Sequence, residues 1–226
     1  KDEPLISLIN SKINLKKFSS NFFFKNLEKN INTEKLLFKF EKLKISKIKK
    51  KNKKFDILIL RHIWEHVFDQ KNFVKKLFNI TNNQSLFYFE VPDCEKMIKK
   101  FDYSMIWEEH MYYYSKISLI NSLHHHNFKV IKFLRYKQKF EDILCVVAMK
   151  NDSLIKRDIK KNLKLVKSAI NFGKRYFFYK NYYKKKFKKI YSKDKIFAYG
   201  ASHMLNVFIN IFKLEKFLSF VIDDNK

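Results

Sequence analysis

Ile57, Leu58, Ile59 and Leu60 form a continuous apolar run inside residues 55–67, FDILILRHIWEHV. An unbroken run of this kind is the pattern of a strand buried on both faces, in a parallel sheet covered by helices. Polar His62, Glu65 and His66 follow at once, residue types that such a core would not choose. Open α/β sheets bind their ligands just outside the carboxyl ends of strands, so chemistry is expected here. Asp69 is placed to cap a helix that carries Phe73, Val74, Leu77 and Phe78 on one face. Residues 85–91 (SLFYFEV) predict the next buried strand, stopped by Pro92 and Asp93. Residues 116–127 predict a helix with Ile117, Leu119, Ile120 and Leu123 inward, and Asn127 as a left-handed cap where glycine is usual. Residues 128–134 and 143–149 predict two strands close enough to pair as an antiparallel hairpin. Upstream, residues 2–13 have helical spacing, 14–24 are weakly strand-like, 24–30 are helical and 36–40 form a short apolar run.

The pattern changes after residue 150. Residues 153–192 are a long charged segment with Leu163, Val166, Ile170 and Phe177 at helical intervals, which predicts two helices broken near Gly173. Residues 195–199 predict a strand ending in Gly200-Ala201-Ser202-His203. A helix over 204–212 and a strand over 218–222, closing on Asp223-Asp224, complete a second β-α-β beginning with a small-residue turn at a helix N-terminus. The fold class is therefore α/β throughout.

With 226 residues, the chain has room for one good core or as many as two domains. Its hydrophobic fraction of 46%, with 25 Phe and 12 Tyr, belongs to a globular protein. No apolar run approaches the ~20 residues of a membrane span, and the charged opening Lys1-Asp2-Glu3 lacks a leader pattern. A start on Lys predicts a fragment or a processed chain. Cys94 and Cys145 lie far apart near apolar stretches, which predicts reduced thiols and a cytoplasmic protein. The net charge of +27 suggests a nucleic-acid or acidic-membrane surface. Lysines are scattered through every segment, however, and only two Gly and two Pro occur, so the charge reads as overuse of a few residue types. Neither a specific nucleic acid nor a membrane is expected as partner, and residues 42–54 read as a solvated loop.

His62-Ile63-Trp64-Glu65-His66 matches the H-x-x-E-H form of an inverted zinc peptidase. That chemistry needs the five residues on a helix and a distal carboxylate, whereas here the motif abuts a strand; a zinc hydrolase using His62 and His66 stays open as an alternative. His124-His125-His126 reads as the polar end of a helix, since adjacent residues point in different directions. Glu109-His110 sets a carboxylate beside an imidazole in a loop rich in Trp107, Tyr112, Tyr113 and Tyr114, which suits a general base near neutral pH. The aromatics either wall off a substrate or fill a core.

FDILILRHIWEHVFDQKNFVKKL, FYFEVPD, IWEEHMYYYS and SLINSLHHHNFKVI occur in order and at sensible spacing. Together they resemble the sugar C-methyltransferases, class I S-adenosylmethionine-dependent enzymes acting on nucleotide-linked ketosugars. The resemblance covers residues 55–150 well. AYGASHMLNVFIN and FVIDDNK, over 195–226, resemble the start of that family's appended nucleotide-binding-like domain.

The resemblance implies a Rossmann-like class I methyltransferase sheet, incomplete at its N-terminus, in residues 1–150. A helical linker over 151–194 and the start of a C-terminal α/β domain over 195–226 follow. It implies S-adenosyl-L-methionine as cofactor, with Asp2, Asn21, His62 and Ile63 at its site, and Asn21 standing where relatives have an acid. It places His110 and Glu109 on the family's base pair and His66 on an active-site histidine. Trp107, Tyr113, Gly200, Ser202 and His203 fall at the substrate, a nucleotide-sugar or related carbonyl compound. No Gly occurs before Gly173, so the usual Gly-rich cofactor turn is missing, as if it lay upstream.

Overall fold

Phe55–Arg61 forms strand β1 and Thr81–Pro92 forms strand β2, which run parallel with Leu60 opposite Phe89. Helix α1, Gln70–Asn79, connects them, and the Asp69 carboxylate accepts from the Asn72 N–H at its first turn. The computed structural model describes residues 54–151 and 161–224, all within one unit spanning 53–226. The elements expected over residues 2–40, and with them Asp2 and Asn21, lie outside the described residues.

Asp93 caps a short helix, α2, Cys94–Lys100, which the apolar pattern did not predict. Helix α3, Lys116–His125, opens on a reciprocal Ser115–Ser118 capping box. It ends with Asn127 at φ 61°, in the left-handed conformation expected there. Strands β3, Phe128–Tyr136, and β4, Ile143–Lys150, then pair antiparallel as expected. β4 inserts between β2 and β3, giving the order β1-β2-β4-β3. The sheet is thus parallel at one end and antiparallel at the other.

The strand buried on both faces is β2, not β1. Residues 87–91 of β2 and 143–148 of β4 are buried throughout, whereas in β1 only Leu60 is. The cause is position: β2 and β4 lie inside the four-stranded sheet, and β1 stands at its edge among the described residues. On one side of the sheet Trp64, Phe87, Phe89 and Phe128 are fully buried with Leu119 and Leu123 of α3. Phe128 meets Phe87, Phe89 and Phe78 edge-on at 5.0–5.2 Å. Such rings dominate core energetics and hold the strand ends rigidly beneath the loops.

Residues 163–191 form one helix, α4 (Leu163–Tyr191), where a break near Gly173 was expected. Glycine inside a helix costs only about 1 kcal/mol relative to alanine. Against that, Phe172, Tyr176, Tyr179, Tyr183 and Phe187 repeat at helical spacing and pack on Phe212 and its buried neighbours. Tertiary packing overrides the local propensity. β5 (Phe197–Tyr199), helix α5 (His203–Phe212) and β6 (Phe220–Ile222) follow, with β5 and β6 parallel. Gly200 leaves β5 at φ 87°, a backbone conformation that favours glycine. Tyr103 joins this aromatic layer from the first half of the chain, donating its hydroxyl to the Phe172 carbonyl.

Candidate functional site

His62 ends β1 with φ 49°, a left-handed turn that lifts the chain off the sheet after its N–H donates to the Glu90 carbonyl. His62 Nδ1 lies 3.4 Å from Glu65 Oε1, and its Nε2 lies 3.5 Å from Glu90 Oε1. Glu65 first and Glu90 second raise the imidazole's pKa to about 9, against the opposing effect of burial, so His62 is cationic at neutral pH. Burial by itself would raise the pKa of Glu90. Contacts with His62, Arg61 and the Tyr88 hydroxyl outweigh it and hold the carboxyl at about 2.

The chain then makes a single 3-10 turn, Trp64–His66, in place of the α-helix that an H-x-x-E-H zinc motif requires. Trp64 anchors the turn: it is fully buried and its Nε1–H donates to the Ser122 hydroxyl. Buried Gln70 donates to the Trp64 carbonyl and the Tyr114 hydroxyl, and accepts from the Ser122 hydroxyl.

Onto this turn docks a second loop, more than forty residues away in sequence. The Glu65 carbonyl accepts from the N–H groups of both Met111 and Tyr112, at 2.9 and 3.1 Å. His66 Nδ1 sits 2.9 Å from the Glu109 carbonyl, and since a carbonyl only accepts, Nδ1 carries the proton. Behind the loop, the Cys94 N–H donates to the Tyr114 carbonyl. The outcome is that His66 and His110 meet edge-on, with ring centroids 4.7 Å apart. Burial lowers the His110 pKa, so its ring is neutral at pH 7.

The carboxylate beside this pair is not the expected one. Glu109 is exposed and serves His66 through its backbone; among the described residues, no hydrogen bond or ion pair links its carboxylate to His110. Glu65 stands there, 1% exposed, with neither carboxylate oxygen accepting a hydrogen bond from the described residues. One ligand atom from each of Glu65, His66 and His110 lies within 4.8 Å of the others. His62, the other half of the H-x-x-E-H pair, is outside this group and occupied with Glu65 and Glu90. Glu141, in the β3–β4 connection, is a further carboxyl that the sequence reading passed over. Desolvation raises its pKa to about 7, with His62 and Glu65 in electrostatic reach.

The expected substrate residues divide. Trp107 stacks on His203 with centroids 3.6 Å apart and planes 10° from parallel, and lies 5.8 Å from His110, nearly parallel to it. The turn that begins α5 is thereby brought to the histidine loop. Tyr113 uses its hydroxyl to brace the loop, accepting from the Trp107 N–H and donating to the Trp107 carbonyl. Ser202 caps α5 by accepting from the Leu205 N–H, and the Gly200 N–H donates to the Ile222 carbonyl. His62 and Ile63 stand at the carboxyl end of β1, the former with both ring nitrogens facing carboxylates and the latter buried.

Glu65 is the buried carboxylate of this cluster that the sequence reading did not single out. It was visible inside H-x-x-E-H, but nothing in the pattern showed that its carboxylate would be buried within 4.8 Å of a ring nitrogen from a distant loop. A family model described as a methyltransferase domain matches residues 7–132, a span containing both loops. No curated protein matches the chain.

Proposed function

The chain belongs to the methyltransferase-domain family, with the Rossmann-like α/β sheet of its class I members, and from that premise we propose C-methylation next to the carbonyl of a nucleotide-linked ketosugar. Domains of this class generally use S-adenosyl-L-methionine, which when bound supplies an electrophilic methyl group on a sulfonium. His62 and Ile63 lie where an open α/β sheet receives its ligand, at the end of the parallel pair β1–β2, and this placement fits the cofactor. Ile63 would offer an apolar wall, and His62 its backbone, since its ring is committed to Glu65 and Glu90.

Carbon methylation beside a ketone requires loss of an α proton and stabilisation of the enolate oxygen. His110, neutral and half-buried, takes the proton at its free ring nitrogen. Glu65 lies within reach of His110 and favours the imidazolium that results. His66, its ring fixed by Nδ1–H on the Glu109 carbonyl beside the base, is the group assigned to hydrogen-bond the developing oxyanion, through Nε2 when that nitrogen carries a proton. Trp107 and His203 form a flat aromatic step beside the pair, suited to the sugar or base of the substrate. On this reading residues 1–150 are the methyltransferase domain, 151–194 a helical linker, and 195–226 the start of a nucleotide-binding-like domain that contributes His203.

The observation that carries the reading is the edge-on approach of His66 and His110 at 4.7 Å, held by backbone hydrogen bonds between two distant loops. The test is exchange of the α proton of candidate nucleotide ketosugars with deuterated water, followed by NMR without any methyl donor, and then methyl transfer from labelled cofactor. Exchange with at least one ketosugar, lost in His110→Ala, is expected. Exchange unaffected by that substitution would remove the assignment of the base.

A further inference from the structure

We propose that Glu65, His66 and His110 form a binding site for one divalent first-row metal ion of the zinc class. The proposal takes the same three residues as the methyl-transfer reading but does not rest on it. Its first support is Glu65: an ionised carboxylate is costly to bury without a partner, and both of its oxygens are buried without a hydrogen bond accepted from any described residue. His62 stands 3.4 Å from one oxygen and relieves part of the charge, but it is shared with Glu90 and leaves the second oxygen unmet. A cation on the far side completes the environment.

The second support is the tautomer of His66. Metal-binding histidines usually donate their other ring N–H to a carbonyl or carboxylate, which fixes the ring and strengthens the ligating nitrogen. His66 donates Nδ1–H to the Glu109 carbonyl at 2.9 Å, so the lone pair of the neutral ring is on Nε2. His110, from the opposite loop, supplies the third ligand, and all three ligand atoms lie within 4.8 Å of one another. Ligands of a tetrahedral ion at ~2.1 Å are about 3.4 Å apart, so the widest pair closes by up to ~1.4 Å on binding.

Two imidazoles and a carboxylate select the chemistry of the ion. Zinc takes such His2Glu sets with a fourth position left open, whereas magnesium and calcium prefer oxygen ligands. The partial exposure of His66 and His110 leaves that open side facing solvent. The site differs from the H-x-x-E-H arrangement, because His62 is replaced by a histidine from a distant loop. An ion here also takes the lone pair that proton abstraction by His110 needs, so ion binding and base action exclude each other at this nitrogen.

The experiment is calorimetric titration of the chelator-treated chain with zinc chloride and, separately, magnesium chloride at pH 7. One zinc per chain is expected, with no comparable heat from magnesium. Affinity should fall at least tenfold in His66→Ala, and also in Glu65→Gln, which keeps the shape of the side chain. Thermal melting without metal checks that each variant folds; if either fails, His110→Ala on the partly exposed loop replaces it. A simultaneous change of His124 and His125 to Ala should leave the affinity in place. No zinc binding, zinc binding that survives both ligand substitutions, or zinc binding that follows His124 and His125 instead, overturns the proposal. The readout is binding alone, so failure of the methyl-transfer reading would not mimic its failure.

Discussion

The two histidine loops and the aromatic layer around α4 and α5 are held together in opposite ways. The loops are joined by directional hydrogen bonds, three of them between residues 65–66 and residues 109–112. These fix the two backbones against each other while leaving the carboxylate of Glu65 without a hydrogen bond among the described residues. In the aromatic layer, Phe212 meets Tyr103, Tyr176, Tyr183 and Phe208 at 4.8–6.3 Å in varied orientations. That packing is largely non-directional and redundant, with the Tyr103 and Tyr176 hydroxyls donating to backbone carbonyls at its margin. A protein can place reactive groups only where directional bonds position them; stability can come from surfaces that merely exclude water.

Substitutions should separate these two roles, and the largest effect on folding is expected in the aromatic layer. Phe212→Ala removes a ring that is 1% exposed and should lower unfolding free energy by roughly 3–5 kcal/mol in urea denaturation. Its α-proton exchange, measured well below the melting temperature, should change little. A loss of exchange without a loss of stability would break the comparison from that side.

At the loops, His110→Ala should lower exchange by about 100-fold or more at nearly unchanged stability, the usual scale for a general base. Glu109→Gln should change it by no more than a few-fold, because Glu109 is exposed and its charge is screened by solvent. Equal losses from the two variants would restore the adjacent pair Glu109–His110 as the working unit in place of Glu65 and His110.

Glu90 sharpens the contrast through pH. Its folded-state pKa, about 2, lies below the ordinary 4.5, so its contribution is complete above pH 4.5 and is lost as pH falls toward 2. The stability difference between the natural chain and Glu90→Gln, on the order of 2 kcal/mol at neutral pH, should therefore shrink by pH 3. A difference that stays constant would show that Arg61 and His62 do not depend on this carboxylate.

The smallest effects come from single braces. Tyr113→Phe removes the hydroxyl that bridges Trp107's N–H and carbonyl, and should cost about 1 kcal/mol. Gly173→Ala, at a helical position where an added methyl would meet nothing within 4 Å, should raise stability by roughly 0.5–1 kcal/mol. Thermal melting measures both.

Local rules made much of the described residues legible. The cap at Asp69, the left-handed Asn127, the β3–β4 hairpin and the β-α-β order of residues 197–222 all follow from nearest-neighbour chemistry, which the amino-acid sequence carries by itself. So does the convergence of polar residues on the carboxyl end of β1, since strand direction and alternation decide it. The continuity of α4 through Gly173 does not, because a remote aromatic surface outweighs a local penalty of about 1 kcal/mol. Nor does the burial of β2 in preference to β1, which depends on β4 inserting beside β2. Above all, sequence adjacency suggested Glu109 as the partner of His110, and the fold brings buried Glu65 to the same pair of histidines. Neighbours along an extended loop diverge in direction, whereas the docking of one loop on another determines which carboxylate loses its water.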